Sequence, residues 1–517
     1  MCRKFILTLL HLHQVFALED ADYWHNTARV EIEEALAQKW NKKIAKNVIV
    51  FVGDGMSIDT ITASRIYHRG ETSYLAWEKL PHMGLIKTYN TNKQVPDSAS
   101  TATALFSGVK TNSQVVGLDG NVGVGDCEGS LDESYHVKSI IDWAQEAGKA
   151  TGFVTTTRVT HATPAPLYAH CSNRKWECER EIPKSSSACK DIARQLIEDS
   201  PGKDIKVIMG GGRQMLKSNV TGTKSDPIDT WACYSSDGRD LLSDWQNDKA
   251  ERNLRYKLVQ NTNELRNVDA AEVDYLMGIF ANGHISMDWN RDTGPTGQPS
   301  LEEMTKMAIK VLEKETKGFL LVVEGGLIDF AHHRGHAAQA LRETVRLSDA
   351  INTTLELVNL DDTLVIVTSD HSHSLMFNGY SDRGSSILGI SQKSKMDQIP
   401  YTILSYGTGG PNNMAYELKG GNASRIDPSK FNTSDFTYSQ QATIITNEAY
   451  HGGGDVPIYA IGPFAHLIHS THEQNYVAHV IAYAAKIGPY SNESSTPRLN
   501  DIVIVTIIAV FTSVLAL

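Results

Sequence analysis

Short apolar runs recur along the chain, and each stops at glycine or at a residue able to bind a ligand. Residues 47–52 precede Gly53-Asp54-Gly55, and 152–154 precede Thr155-Thr156-Thr157. Residues 207–209 precede Gly210-Gly211-Gly212, and 319–323 precede Glu324-Gly325-Gly326. Residues 364–367 lead into Thr368-Ser369-Asp370-His371, and 458–461 into Gly462. Continuous Val/Ile runs read as buried strands of a mostly parallel sheet. Helix-period patterns lie between them, over 139–148, 301–315 and 336–358. Alternating strands and helices predict an α/β fold, a three-layer α/β/α sandwich around one large sheet. In such sheets a ligand sits beyond the carboxyl ends of the strands. Asp54, Glu324, Asp370 and His371 all fall there. Two stretches lack this rhythm. Residues 379–444, rich in Gly, Ser, Asn and Tyr, read as a loop-rich insertion on the sheet, and 221–298 as similarly irregular.

The length of 517 residues and the 41% apolar content suffice for a large core. Lysine and arginine total 49 against 60 acidic residues, a net charge of −11. That excludes a basic nucleic-acid footprint, so no nucleic-acid partner is expected. An acidic protein that handles an anion needs local positive charge, which metal ions supply.

The two ends carry targeting patterns. Met1-Cys2-Arg3-Lys4, an apolar stretch and Val15-Phe16-Ala17 read as a signal peptide over 1–17, with a buried N-terminal helix as the alternative. Residues 502–517 are apolar apart from two threonines and a serine, and they follow a polar spacer. This is the pattern of a GPI-attachment signal over 491–517, with Ser491, Asn492 or Ser494 as the attachment residue. A tail-anchored helix is the alternative. The body, 18–490, is then expected on the extracellular face of the plasma membrane, lipid-anchored or else secreted. Sequons at Asn219, Asn352, Asn422, Asn432 and Asn492 agree with secretion. Beyond the leader remain Cys127, Cys171, Cys178, Cys189 and Cys233, an odd set that leaves at least one free or paired between chains.

Five features carry chemistry. Asp97-Ser98-Ala99-Ser100-Thr101-Ala102-Thr103 runs into Ala104-Leu105-Phe106 and predicts a loop that delivers Ser98 to the first turn of a helix. Free N–H groups and the helix dipole there hold an anion beside a hydroxyl, although many such serines only cap helices. Asp54 between two glycines allows close approach of a ligand, and a turn aspartate is the plainer reading of that residue alone. In Glu324–His333, two acids and a histidine pair follow one buried strand; Asp329 and His333, four apart, share a helical face suited to one divalent ion. Asp370-His371-Ser372-His373 suits a second ion, because zinc takes carboxylate and imidazole ligands. His451-Gly452-Gly453-Gly454-Asp455 offers a remote imidazole. Together they argue for a multi-metal site with a nucleophilic serine, able to hold attacking and leaving oxygens of an in-line phosphoryl displacement.

These motifs resemble the animal-type alkaline phosphatases. The resemblance rests on Val95–Thr103, Asp54, Val154–Pro164, Glu324–His333, Asp370–His373 and His451, and spans about 47 to 490. It implies phosphate monoester hydrolysis through a phosphoserine on Ser98, with an alkaline optimum. It further implies two Zn²⁺ and one Mg²⁺ per subunit, a crown-like insertion and a homodimer. Asp329, His333 and His451 would hold the first zinc. Asp54, Asp370 and His371, next to Ser98, would hold the second. Asp54, Glu324 and Thr163 would hold magnesium with His161 close by, and Arg174 would clamp phosphate oxygens. Ser100 is the rival hydroxyl and reads as helix-turn structure. A Cys127–Cys189 bridge would match the family; a Cys171–Cys178 loop leaving Cys233 unpaired is one arrangement of the rest.

The chain also departs from the pattern. Ile228, Ala281 and Gln298 stand where relatives place the acids of a fourth, calcium site, so no such site is expected. Phe330 replaces a basic residue that would reach phosphate through water, and Gly454 stands where an acid is common. Other readings are a phosphodiesterase or sulfatase of the same superfamily and a non-catalytic surface protein. Glu324 and Thr163 count against the diesterase, the serine motif against the sulfatase, and the full ligand set against the scaffold.

Overall fold

A computed structural model describes residues 19–491. The expected leader and almost all of the attachment segment lie outside them. The chain divides into two compact units, the first ending at Trp40. The described part of the first is the helix Ala21–Ala37, capped by Asp20, which accepts from Tyr23 N–H at 3.0 Å. The second unit, from Asn41 on, contains the sheet.

That sheet has ten strands. At its centre Asn47–Gly53 pairs in parallel with Phe319–Gly325 on one side and Thr363–Ser369 on the other. The register sets Gly53 level with Gly325 and Ser369, so Asp54, Glu324 and Asp370 emerge at one edge. Along the central strand side chains alternate between faces. Val48, Val50 and Val52 pack in one core with Leu105, Ile140 and Ile481. Ile49 and Phe51 pack in another with Met304, Ile309, Leu347 and Ile351. Two cores on opposite faces make the three-layer sandwich that the apolar rhythm predicts.

The predicted helices form with trimmed ends: Ile140–Glu146, Leu301–Leu312 and Ala337–Leu357. Capping boxes at Ser139/Asp142 and Ser300/Glu303 set the first two starts. Residues 221–298 are less irregular than expected. They include the helix Leu241–Glu251 and the strands Tyr256–Val259 and Tyr275–Ile279, which complete one sheet edge. Runs of four and five residues are too short for periodicity to separate from loop. Between Thr363–Ser369 and Val456–Ile461 the chain leaves the main sheet and builds four small sheets, with a core of Leu375, Leu404, Tyr406 and Ala442 in the largest. This stretch is richer in strand than its composition suggests. Among the described residues no helix is long and apolar enough to cross a membrane.

The disulfide expectation needs correction. Cys127 pairs with Cys189, but Cys178 pairs with Cys233, and Cys171 is free. Cys178 is taken by Cys233, while the Cys171 backbone is bridged to Val116 and its thiol turns to the Asn173 carbonyl. Burial pushes this thiol up to about 12. Cys171 is therefore expected to resist thiol reagents in the native protein and to react on unfolding; peptide mapping by mass spectrometry checks this. Labelling of native Cys171 would place it at the surface instead.

Candidate active site

Ser98 begins the helix Ser98–Ser107, and Asp97 caps it. Its Oγ lies 3.1 Å from His371 Nε2, and the residue is buried. Ser100 points elsewhere: its hydroxyl donates to Asp97 Oδ1 at 2.9 Å and accepts from Asn90 Nδ2 at 3.0 Å. It serves the cap, as its place in the first turn suggests.

Around Ser98 the strand ends bring three ligand groups together. Asp54, Asp370 and His371 form one; Asp54, His161 and Glu324 form another; Asp329, His333, His373 and His451 form the third. Within each, the candidate ligand atoms lie within 4.8 Å of one another. Asp54 is shared by two. Gly55 makes this crowding feasible: its φ is +67°, and a Cβ there would meet Asp329 at 3.0–3.2 Å. His451 precedes its strand instead of following it, yet reaches the same edge. The reason is topological: Val456–Ile461 runs antiparallel to both of its neighbours. Its start therefore lies where the neighbouring parallel strands end.

Three of the imidazoles are aimed by backbone carbonyls. His333 Nδ1 meets Ala449 O at 2.7 Å, His451 Nδ1 meets Pro96 O at 2.9 Å, and His371 Nδ1 meets Ser372 O at 3.1 Å. A carbonyl only accepts, so Nδ1 carries the proton and Nε2 faces the cluster. The Nε2 atoms of His333 and His451 then stand 3.0 Å apart, with Asp329 Oδ2 3.1 Å from His333 Nε2. His332 turns away into the core, between Thr60 and Tyr406.

The electrostatics call for cations. Burial raises Asp54 well above the usual carboxylate range, and Asp370, Asp329 and Glu324 add to this. Burial likewise lifts Glu324 to about 7, although Thr155 donates to its Oε2 at 2.5 Å. Asp329 is held well below its ordinary value: His333 and His451 outweigh its burial. Asp54 Oδ1, Glu324 Oε1, Asp329 Oδ1 and His373 Nε2 are buried without a hydrogen bond. Buried carboxylates with orphaned oxygens are costly unless a cation completes them. The donor set therefore fits divalent metal ions.

Thr163 Oγ1 donates to Asp54 Oδ2 at 3.3 Å, beside Glu324. Arg174 donates from Nη1 to Asp97 Oδ2 at 3.0 Å, and its Nη2 lies 3.3 Å from His161 Nε2. A guanidinium only donates, so His161 Nε2 accepts. Burial, with Arg158 and Arg174 nearby, holds His161 well below its ordinary value. The candidate ligands, Ser98, Thr163, His161 and Arg174 thus lie together in the structure.

A profile of the alkaline phosphatase family matches residues 45–487. The chain belongs to the alkaline phosphatase family. It is accordingly an enzyme. The human tissue-nonspecific alkaline phosphatase is 43% identical over 487 residues, covering 91% of this chain and 89% of that protein. The Gallus gallus tissue-nonspecific isozyme is 41% identical over 505 residues, 94% of each. The membrane-bound alkaline phosphatase of Bombyx mori is 38% identical over 92% of this chain and 86% of its own length. Among solved structures, alkaline phosphatase from Thermus thermophilus superposes with a TM-score of 0.60 at 22% identity, over 87% of this chain and 93% of that one. The TAB5 enzyme of an Antarctic bacterium does so at 0.58 and 23%, over 86% and 99%. At these identities the likeness speaks for the alkaline phosphatase fold.

Two features escaped the sequence reading. His373 joins the Asp329 group, its Nε2 3.5 Å from Asp329 Oδ1. Its signal was the two-residue spacing from His371 at a strand end. The other is a buried network around Arg158, which grips Glu177 through Nε and Nη2 and pairs with Asp229 at 3.2 Å. The arginine inside the Thr-Thr-Thr-Arg run was its only trace.

Proposed function

We propose that this alkaline phosphatase hydrolyses phosphate monoesters through a phosphoserine on Ser98, in the alkaline range. The observation that carries the reading is the Ser98 hydroxyl at a helix start, in contact with His371 and bordered by ligand groups that share Asp54.

In this reading Asp329, His333 and His451 hold one zinc; Asp54, Asp370 and His371, with Ser98, hold a second. Asp54, Glu324 and Thr163 hold magnesium, with His161 behind them. Bound ions would neutralise the carboxylates, favour ionisation of the serine hydroxyl and offset charge on the leaving oxygen. The chain's own groups do the rest. The helix start and Arg174 receive the phosphoryl oxygens; Arg174 has donors to spare beyond those facing Asp97 and His161. Ser98 Oγ, its proton given up to solvent, bonds to phosphorus as the ester P–O bond breaks, and the alkoxide released takes a proton from water and departs as the alcohol. Water then attacks phosphorus, the Oγ–P bond breaks, and Ser98 regains its proton as phosphate is freed. Asp97 keeps Arg174 in place: burial pushes its carboxyl up, but Arg174, the Gln114 N–H and Ser100 outweigh this and hold it below the usual range.

The same reading makes the protein a homodimeric glycoprotein, GPI-anchored on the outer face of the plasma membrane. The sequons, the terminal apolar tail and the membrane-bound Bombyx mori relative support the glycoprotein and anchor readings, and the homodimer rests on the family resemblance alone. Ile228, Ala281 and Gln298 leave it without a fourth, calcium site.

The test is hydrolysis of phenyl phosphate by the purified protein at neutral and alkaline pH, with zinc and magnesium supplied or chelated. Metal-dependent turnover that rises in alkali is expected. No turnover by the metal-loaded protein would overturn the reading.

A further inference from the structure

Beside the ligand groups lies a second cavity of about 300 Å³, whose lining includes Phe330, Arg334, His284 and Trp231. It adjoins the phosphate pocket through a row of side chains. Arg174 touches His161, the His161 ring lies 5.3 Å from that of His284, and His284 lies 5.0 Å from Phe330. Phe330 itself follows Asp329 in the chain.

The charges on this wall are unevenly matched. Its two acids are engaged: Asp226 pairs with Arg213 at 2.6 Å and Asp229 with Arg158 at 3.2 Å. Ile228 and Gln298, also on the wall, carry no charge. Arg334 is different. Its guanidinium lies 4.1 Å over the Phe330 ring, and the carboxylate that acts on it, Asp229, does so from beyond ion-pair distance while bonded to Arg158. An arginine stacked on an aromatic face is oriented and weakly hydrated, ready for a carboxylate or phosphate fork. His284 adds a donor. Arg158 Nη1 lies 2.6 Å from its Nε2, which therefore accepts, and its Nδ1–H has no partner. At the rim Trp231 is 94% exposed, a large apolar face with nothing over it.

We propose that this cavity is a leaving-group subsite. It selects phosphate monoesters whose leaving group is flat and carries a second anionic group. Arg334 holds that anion, while Phe330 and Trp231 flank the flat part. The proposal rests on the phosphomonoesterase reading and adds a specificity determinant to it.

The experiment compares phenyl phosphate with its ortho, meta and para carboxylates, using metal-loaded wild type, Arg334→Ala and Arg334→Lys. The readout is the ratio of kcat/KM for each carboxylate to that for phenyl phosphate, which cancels any general loss of activity. Wild type is expected to favour at least one carboxylate by about tenfold, the value of one charge-assisted hydrogen-bonded pair. Arg334→Ala should erase that preference, and Arg334→Lys should restore part of it. No preference in wild type, or one that survives Arg334→Ala, overturns the subsite. Wild type that fails on phenyl phosphate itself overturns the phosphomonoesterase reading, and the subsite with it.

Discussion

Replacing Ser98 with alanine is expected to cut phosphate monoester turnover by roughly a thousandfold or more, the scale for loss of a nucleophile. The fold should be unaffected. Ser98 is the first residue of its helix, but Asp97 supplies the cap, so the Ser98 hydroxyl does no capping. Alanine also has the better helix propensity. Among the described residues the only side chain bonded to its Oγ is His371. Ser100→Ala is the contrasting variant. Its hydroxyl donates to the Asp97 carboxylate and carbonyl and accepts from Asn90. Losing it should cost about 1 kcal/mol of stability and change turnover by no more than about tenfold. Acid quenching of wild type with labelled inorganic phosphate should trap a phosphoprotein that Ser98→Ala does not form. Ser98→Ala with turnover within about tenfold of wild type, or a label that persists in it, would move the nucleophile to another group.

Most of the site was legible because parallel-sheet architecture makes it so. When apolar runs end in Asp54, Glu324 and Asp370, the register of three adjacent strands delivers all three acids to one edge. The Asp329/His333 pair was legible from helical spacing alone. His451 was harder. It precedes a strand, and only the antiparallel direction of Val456–Ile461 carries it to that edge. Sequence shows a strand but not its direction. His373 was missed for a related reason: it reaches the Asp329 group where Ser372–His373 pairs antiparallel with His451–Gly452, a long-range pairing that spacing does not reveal. The Cys178–Cys233 bridge was illegible because it closes 55 residues of sequence between elements whose approach depends on the whole fold. Short edge strands such as Tyr256–Val259 lack the length for a periodic signal.

Removing the metals should destabilise the protein, and more so as pH rises from 6.5 to 9. Two groups set the sign. The Asp329 carboxylate outweighs the burial of His333 and raises it from its ordinary 6.5 to about 9. Burial raises Glu324 from 4.5 to about 7. A histidine with a raised folded value stabilises fully below 6.5, and that contribution disappears as pH passes through about 9. A raised carboxyl behaves alike: its proton is kept by the folded chain and released by the unfolded one, so stability falls as pH rises through about 7. The histidines that burial pushes down, such as His371 at about 4, work the other way, but only below 6.5. Glu343, also lifted to about 7 by burial, lies apart from the ligand groups and contributes equally with or without metal. In this window the metal-free chain therefore loses on the order of 3 kcal/mol from His333 and Glu324. Metal ligation requires the same groups deprotonated, so binding strengthens over the same range. The gap in Tm between metal-loaded and chelated protein should widen by a few degrees from pH 6.5 to pH 9, measured by scanning calorimetry. A gap that stays constant or narrows would mean that the carboxylate and imidazole groups around Ser98 do not trade protons for metal ions.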